Sequence, residues 1–190
     1  MKKSNVLRVL LAAVIYLALF PAGSACGLIH PACYAYVGTV LPLLFSFVYL
    51  LAAANMRCFG AAAMLNGVLL IAGLVTGEGD LAFVLILIAL TVTAELIRKL
   101  LGYDTLKGVR WSFLPFAFSF YAYAAHWWTN TADALAAAVE EMPVGYADKM
   151  EPVIQNIPIL ILMLVLTIPV AVLGMFLAEK VLKKQTALLR

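Results

Sequence analysis

The chain has 190 residues, 65% hydrophobic and 12% charged, with a formal net charge of +3. An average soluble domain carries about 25% charged residues, so this composition excludes an ordinary water-soluble fold and points to a lipid bilayer. Three cysteines exclude a disulfide framework, and the lack of a polar tail or low-complexity tract leaves no expectation of an appended soluble domain.

A spanning helix needs roughly 20 mostly apolar residues, so the chain has room for six. They are predicted at Val6–Pro21, Tyr36–Ala54, Phe59–Thr76, Leu81–Leu101, Arg110–Trp128 and Ile157–Glu179. The expected fold is all-α: one polytopic six-transmembrane-helix bundle over residues 1–190. Turn chemistry separates the spans: Pro21 and Gly23, Gly77-Glu-Gly79-Asp80, Gly102-Tyr-Asp104, and Pro158.

Charge placement sets the expected orientation. With a cytoplasmic N-terminus, every Lys and Arg except Lys149 falls on or near the inside, as the positive-inside rule requires. Both termini are then cytoplasmic, and the outer loops are about 22–35, 77–80 and 129–156. Glu78, Asp80, Asp133, Glu140, Glu141, Asp148 and Glu151 fall outside. Acids weigh little in topology, so they matter here for chemistry. The basic start and apolar run of Met1–Ala25 also resemble a signal peptide. The charge alternation is better served by keeping that stretch as the first span.

The first outer loop, Ala22–Tyr36, is too rich in Gly and Pro for a helix interior. It carries Cys26-x3-His30-x2-Cys33. Thiolate and imidazole suit zinc, copper or haem iron, but the spacing fits no standard zinc or haem-attachment motif. Simple packing, a Cys26–Cys33 disulfide and ligation led by His30 all stay open, and no metal is assigned. Tyr34 and Tyr36 close the loop. In the last outer loop, Ala132–Met142 favours a short amphipathic helix, ended by Pro143 and Gly145. Tyr146 then opens a second one.

At the outer end of the fifth span, His126, Trp127 and Trp128 read either as an aromatic belt or as a stacking wall for a flat ligand. Tyr121 and Tyr123 precede them on an aromatic-rich helix. Near the inner end of the fourth span, Glu95 needs a partner at its depth. Arg98, one turn on, supplies one as a structural pair or a contact to another protein. Asn66 reads as interhelical glue, worth about 0.6 kcal/mol per bond. Small residues gather in the first three spans, including Ala12, Ala13 and Ala18, which suits close helix contact. No hydrolase elbow, phosphate loop, His-Glu-x-x-His helix or charge relay is present. The expectation is a binding protein, not an enzyme and not a self-powered pump.

Several stretches in order resemble the Trep_Strep family of small bacterial membrane proteins, regarded as substrate-binding (S) components of ECF-type importers. They are Ala12-Ala-Val-Ile-Tyr16, Met56-Arg-Cys-Phe-Gly-Ala61, Thr76-Gly-Glu-Gly79, Ala94-Glu-Leu-Ile-Arg98, Tyr146-Ala-Asp-Lys-Met150 and Leu173-Gly-Met-Phe-Leu-Ala-Glu-Lys-Val-Leu-Lys-Lys184. The resemblance implies a bacterial cytoplasmic membrane protein with an outward pocket for a micronutrient such as a vitamin, tetrapyrrole or metal chelate. It also implies a transmembrane scaffold (T) subunit and ATPases as partners. ATP would be used by those ATPases, with no cofactor on this chain and no nucleic acid involved.

The candidate substrate residues are His30, Cys26, Cys33, Tyr34, Tyr36, Glu78, Tyr123, His126, Trp127, Trp128 and Tyr146. The candidate coupling residues are Ala12, Ala13, Ala18, Glu95 and Arg98. The alternative is a structural or assembly partner of another membrane complex, with no small-molecule ligand. A membrane enzyme would need a reactive set such as His126 with Glu140 or Asp148 around a cavity.

Overall fold

The computed structural model describes residues 3–77 and 79–189. Lys2 and Arg190 of the basic set, and the candidate Glu78, lie outside the described residues. In chain order the elements are α1 (Lys3–Ser24), a 3-10 turn (Ala25–Leu28), α2 (Pro31–Val37), α3 (Pro42–Asn55), α4 (Ala61–Thr76) and α5 (Leu81–Leu101). There follow α6 (Leu106–Phe116), α7 (Ser119–Tyr123), α8 (His126–Thr129), α9 (Thr131–Glu141), α10 (Tyr146–Gln155), α11 (Ile157–Val181) and α12 (Lys183–Thr186). No strand occurs among the described residues.

Four segments are long and apolar enough to cross a membrane: Asn5–Leu28, Pro31–Asn55, Leu81–Leu101 and Ile157–Val181. Their burial differs and tells centre from rim. In the most apolar window of Pro31–Asn55, 67% of residues are buried, against 22% in Ile157–Val181. The α2–α3 segment therefore sits at the centre, while α1, α5 and α11 show apolar faces outward. Leu7, Leu11, Val14, Leu85, Val92, Ile161, Val165 and Val172 are all at least half exposed, as lipid-facing side chains are.

The stretch predicted as the fifth span is broken into α6, α7 and α8. Pro115 lies in α6, and Ser119 Oγ donates to the Phe116 carbonyl at 2.7 Å across the first break. A broken backbone at membrane depth is tolerable only where protein covers it. That condition is met, because Ser112, Phe113, Phe116, Ala117, Ser119 and Phe120 are fully buried. The span's aromatic excess fills the bundle's middle instead of facing lipid. Tyr16, Phe20, Phe45, Phe116 and Phe120 form one ring cluster with centroids 5.1–6.5 Å apart.

The Gly- and Pro-rich stretch after the first span is more helical than expected. Helix α1 continues through Pro21 to Ser24, and α2 begins at Pro31. Proline suits the first turn of a helix because its missing N–H would be unpaired there in any case. The two helices expected in 129–156 are present as α9 and α10.

Polar side chains pin the helices together. Asn66 Oδ1 accepts from Tyr16 Oη at 2.7 Å and from Ser119 Oγ at 3.0 Å, and Asn66 Nδ2 donates to Thr91 Oγ1 at 2.9 Å. One amide thus joins α1, α4, α5 and α7. Close approach does similar work between α3 and α11: a Cβ at Gly174 would lie 2.8 Å from the Pro42 carbonyl oxygen and 3.1 Å from Ser46 Oγ.

Basic residues collect at one end of the bundle. Arg8 reaches Asn55 Oδ1 at 3.4 Å, Arg57 reaches the Leu188 carbonyl at 3.3 Å, and Arg110 makes a bidentate bond to Glu179. The buried charges Glu95 and Arg98 lie at the same end. They were expected to pair with each other or face a partner, and they do neither. Glu95 Oε1 accepts from the Ala62 N–H at 2.8 Å and the Ala63 N–H at 3.4 Å, capping α4. Arg98 donates to the carbonyls of Ala53, Cys58 and Tyr103. Each side chain satisfies backbone groups at helix ends, where such groups have no intrahelical partner.

Candidate functional site

At the opposite end lies a cavity of about 500 Å³. Its size falls in the usual range for small-molecule sites, about 300–1,000 Å³. One wall is aromatic. Tyr34 on α2 and Trp127 on α8 both line it, their rings 4.5 Å apart, and Tyr123 stands beside them. Trp127 is only 6% exposed, so it belongs to this wall and not to a headgroup belt.

The facing wall is α9. Asp133, Ala134, Ala137, Ala138 and Glu141 all line the cavity. Their spacing places them on one helical stripe, and the alanines leave the room that larger side chains would fill. The floor of the α4–α5 turn adds Thr76, Gly77 and Asp80. Gly77 ends α4 with φ 82°, the left-handed cap that glycine favours. Asp80 Oδ1 accepts from the Phe83 N–H at 2.7 Å and starts α5. Asp133 accepts from Asn130 Nδ2.

Helix α10 closes the site with Tyr146 and Met150, one turn apart on its buried face. Tyr146 is 8% exposed, and its hydroxyl has no hydrogen-bond partner in the protein. Burial pushes that hydroxyl above the usual tyrosine range, and nearby Cys33 adds to the shift. It stays protonated at neutral pH and can donate or accept. Ser24 Oγ, also on the cavity lining, is buried and likewise unpartnered. Leaving a buried polar group unpaired costs about 1–3 kcal/mol, and here two such groups share one cavity.

Of the residues expected to meet substrate, Tyr34, Tyr123, His126, Trp127 and Tyr146 come together around this space. Glu78 lies outside the described residues, between the lining residue Gly77 and Gly79. The others go elsewhere. His30 is exposed and caps α2, its Nδ1 accepting from the Ala32 N–H at 3.1 Å. Cys33 is exposed, Cys26 is half-buried, and both thiols are free. Among the described residues no three His, Cys, Asp or Glu side chains gather as a metal-holding group. Tyr36 Oη reaches the Val153 carbonyl at 3.4 Å and ties α2 to α10. Trp128 is half-buried and does not line the cavity. Of the coupling candidates, Ala12 and Ala13 are buried, as are Glu95 and Arg98, and only Ala18 is exposed.

The α9 stripe was missed from the sequence. The signal was there: alanines at i, i+3 and i+4 between carboxylates at Asp133 and Glu141. It reads equally well as the apolar face of an interfacial helix. Ser24 and Asn130 carried no signal beyond their loop positions.

A protein-family model described as a hypothetical bacterial integral membrane protein, Trep_Strep, matches residues 4–187. The chain belongs to that family and is a bacterial multi-pass membrane protein. No curated protein and no solved structure matches it.

Proposed function

We propose that this chain is the substrate-binding (S) component of an ECF-type ABC importer, capturing a vitamin-sized solute at the outer face. The observation that carries the reading is the cavity of about 500 Å³ at the end of the bundle remote from the basic residues. By the positive-inside rule the basic end is cytoplasmic, so the cavity opens outward. In this reading α6–α8 together form one broken crossing and α4 another, giving six passages with both termini inside. The middle of the bundle is packed with its own aromatic rings, so solute would bind at the end and not pass through the chain alone. Release then calls for a scaffold subunit and ATPases.

Leu7, Leu11, Val14 and Ala18 form one exposed stripe along α1 and are the face we assign to the scaffold subunit. The cavity lining holds one histidine and no cysteine, which favours an organic solute over a tetrapyrrole or metal chelate. We assign no catalysis to the chain; His126 Nδ1 lies 3.4 Å from the Tyr123 carbonyl.

The aromatic-filled middle is also what a purely structural partner of another membrane complex would have. Co-purification from native membranes, with mass spectrometry of bound proteins and bound small molecules, separates the two. Recovery of a scaffold subunit, ATPases and a small molecule is expected. Recovery of an unrelated membrane complex with no small molecule would overturn the importer reading.

A further inference from the structure

We propose that the cavity selects an organic cation: a compact, partly aromatic body bearing a protonated amine or quaternary ammonium group. This rests on the solute-binding reading above and deepens it. The first observation is charge. Among the described residues the lining carries the carboxylates Asp80, Asp133 and Glu141, one histidine, His126, and neither lysine nor arginine. Lys149, on α10, is exposed and does not line the space.

Helix ends at the cavity do not decide the sign. Helices α4 and α9 end there, at Thr76–Gly77 and Glu141, which favours positive charge. Helices α5, α9 and α10 start there, with Asp80, Asp133 and Asp148 set against their N-termini.

The second observation is the aromatic wall. Trp127 and Tyr34 line the space with their rings 4.5 Å apart, and a cation within about 6 Å of an aromatic ring is attracted by its quadrupole. An anion meets the same carboxylates with repulsion. The third observation is independent of charge: the Tyr146 hydroxyl, more than nine-tenths buried, borders the cavity with no partner in the protein. It offers a hydrogen bond to a polar group on the ligand body. Carboxylates give the charge, rings give the stacking surface, and the hydroxyl gives orientation.

The test uses the full chain in lipid nanodiscs and matched sets of small molecules that differ only in charge. One set is tryptamine, indole-3-propionamide and indole-3-propionate. Another is pyridoxamine, pyridoxine and 4-pyridoxate. Magnesium and calcium chloride serve as inorganic controls. Binding is read by equilibrium dialysis and by the rise in unfolding temperature that any ligand of the folded state produces.

In a set that binds, the amine should bind at least about tenfold more tightly than the anion, equivalent to about 1.4 kcal/mol. D133N/E141Q should reduce that ratio about tenfold. Glu141→Gln alone, at an exposed position, provides the same readout should the double variant not fold. Preference for anionic or neutral members, or an unchanged ratio in the variants, would overturn the charge inference and leave solute binding standing. Stabilisation by the divalent ions alone would overturn it as well. No binding in any set would overturn the charge inference, while the importer reading stands or falls on the co-purification above.

Discussion

Arg98 offers the most demanding test of how this bundle is held together. It is fully buried, and Nη2 donates to the Tyr103 carbonyl at 2.9 Å and to the Ala53 carbonyl at 3.4 Å, with Nη1 3.4 Å from the Cys58 carbonyl. Those acceptors belong to the end of α3, the α3–α4 junction and the α5–α6 turn. A hydrogen bond from a charged donor contributes about 1.5–3 kcal/mol, and the two long ones count toward the low end. Arg98→Met removes all three and leaves those buried carbonyls without this donor, so the expected loss is about 3–5 kcal/mol. Glu95→Gln keeps an oxygen able to accept from the Ala62 N–H, and should cost about 1–3 kcal/mol.

The double variant removes both charges. Its loss should equal the sum of the two within about 0.5 kcal/mol, because the two side chains bond different backbone groups and not each other. Reversible unfolding in mixed micelles at increasing SDS fraction gives all three values. A loss below about 1 kcal/mol for Arg98→Met, or a departure from additivity of more than about 1 kcal/mol, would refute the claim that each buried side chain holds helix ends through its own backbone bonds.

Asn66→Leu breaks bonds to Tyr16, Ser119 and Thr91 and should cost about 1–3 kcal/mol in the same unfolding assay, while Ser119→Ala should cost nearer 0.6 kcal/mol. Gly174→Leu drives a side chain into the Pro42 carbonyl, and a loss of about 1–3 kcal/mol is expected; an unchanged midpoint would mean α3 and α11 are not tightly apposed. His30→Ala removes the α2 cap and should cost about 1 kcal/mol without changing solute affinity, which equilibrium dialysis checks. Tyr146→Phe deletes an unpartnered hydroxyl, so the ligand-free protein should be unchanged or about 1 kcal/mol more stable. Solute affinity should fall in that variant, and a large loss of ligand-free stability would contradict the assignment of the hydroxyl to the ligand.

What could be read from the residues depended on whether local chemistry or tertiary cover decided the outcome. Helix α5 has the bounds expected of it, Leu81–Leu101, because an Asp80 cap and Gly102 mark both ends within the local sequence. The last span behaves likewise, since Asn156 and Pro158 begin it. The fifth span could not be read in this way. From Trp111 to Trp128 the residues are mostly apolar and aromatic; Pro115 is a local signal near the break at Ala117, but nothing local marks the one at Ala124. The break is tolerated because α1, α3 and α5 surround it, which is information from the far ends of the chain. Glu95 and Arg98 were misread for the same reason: their i, i+3 spacing permits a pair, but backbone groups of other helices compete and win. At the cavity, the aromatic members were visible as Tyr34, Tyr123, Trp127 and Tyr146, whereas the alanine stripe of α9 acquires meaning only when something stands opposite it. His30 and the two cysteines drew attention by their chemistry and proved to lie on the surface of the same segment.

The two ends of the bundle solve opposite problems with the same kind of side chain. At the basic end, Glu95 and Arg98 bond amides and carbonyls at helix termini, although Glu95 Oε2 and Arg98 Nε are left without a partner. At the cavity end, buried hydroxyls of Tyr146 and Ser24 have no partner in the protein, and a cost of about 1–3 kcal/mol each is carried by the rest of the fold. A protein that only had to pack would gain by closing that end with larger residues along α9. Alanines at 134, 137 and 138 hold it open instead, and the aromatic core beneath seals it from the middle of the bundle. Unpartnered buried atoms occur at both ends, but only those of Tyr146 and Ser24 belong to residues that line the cavity, where an incoming group could reach them.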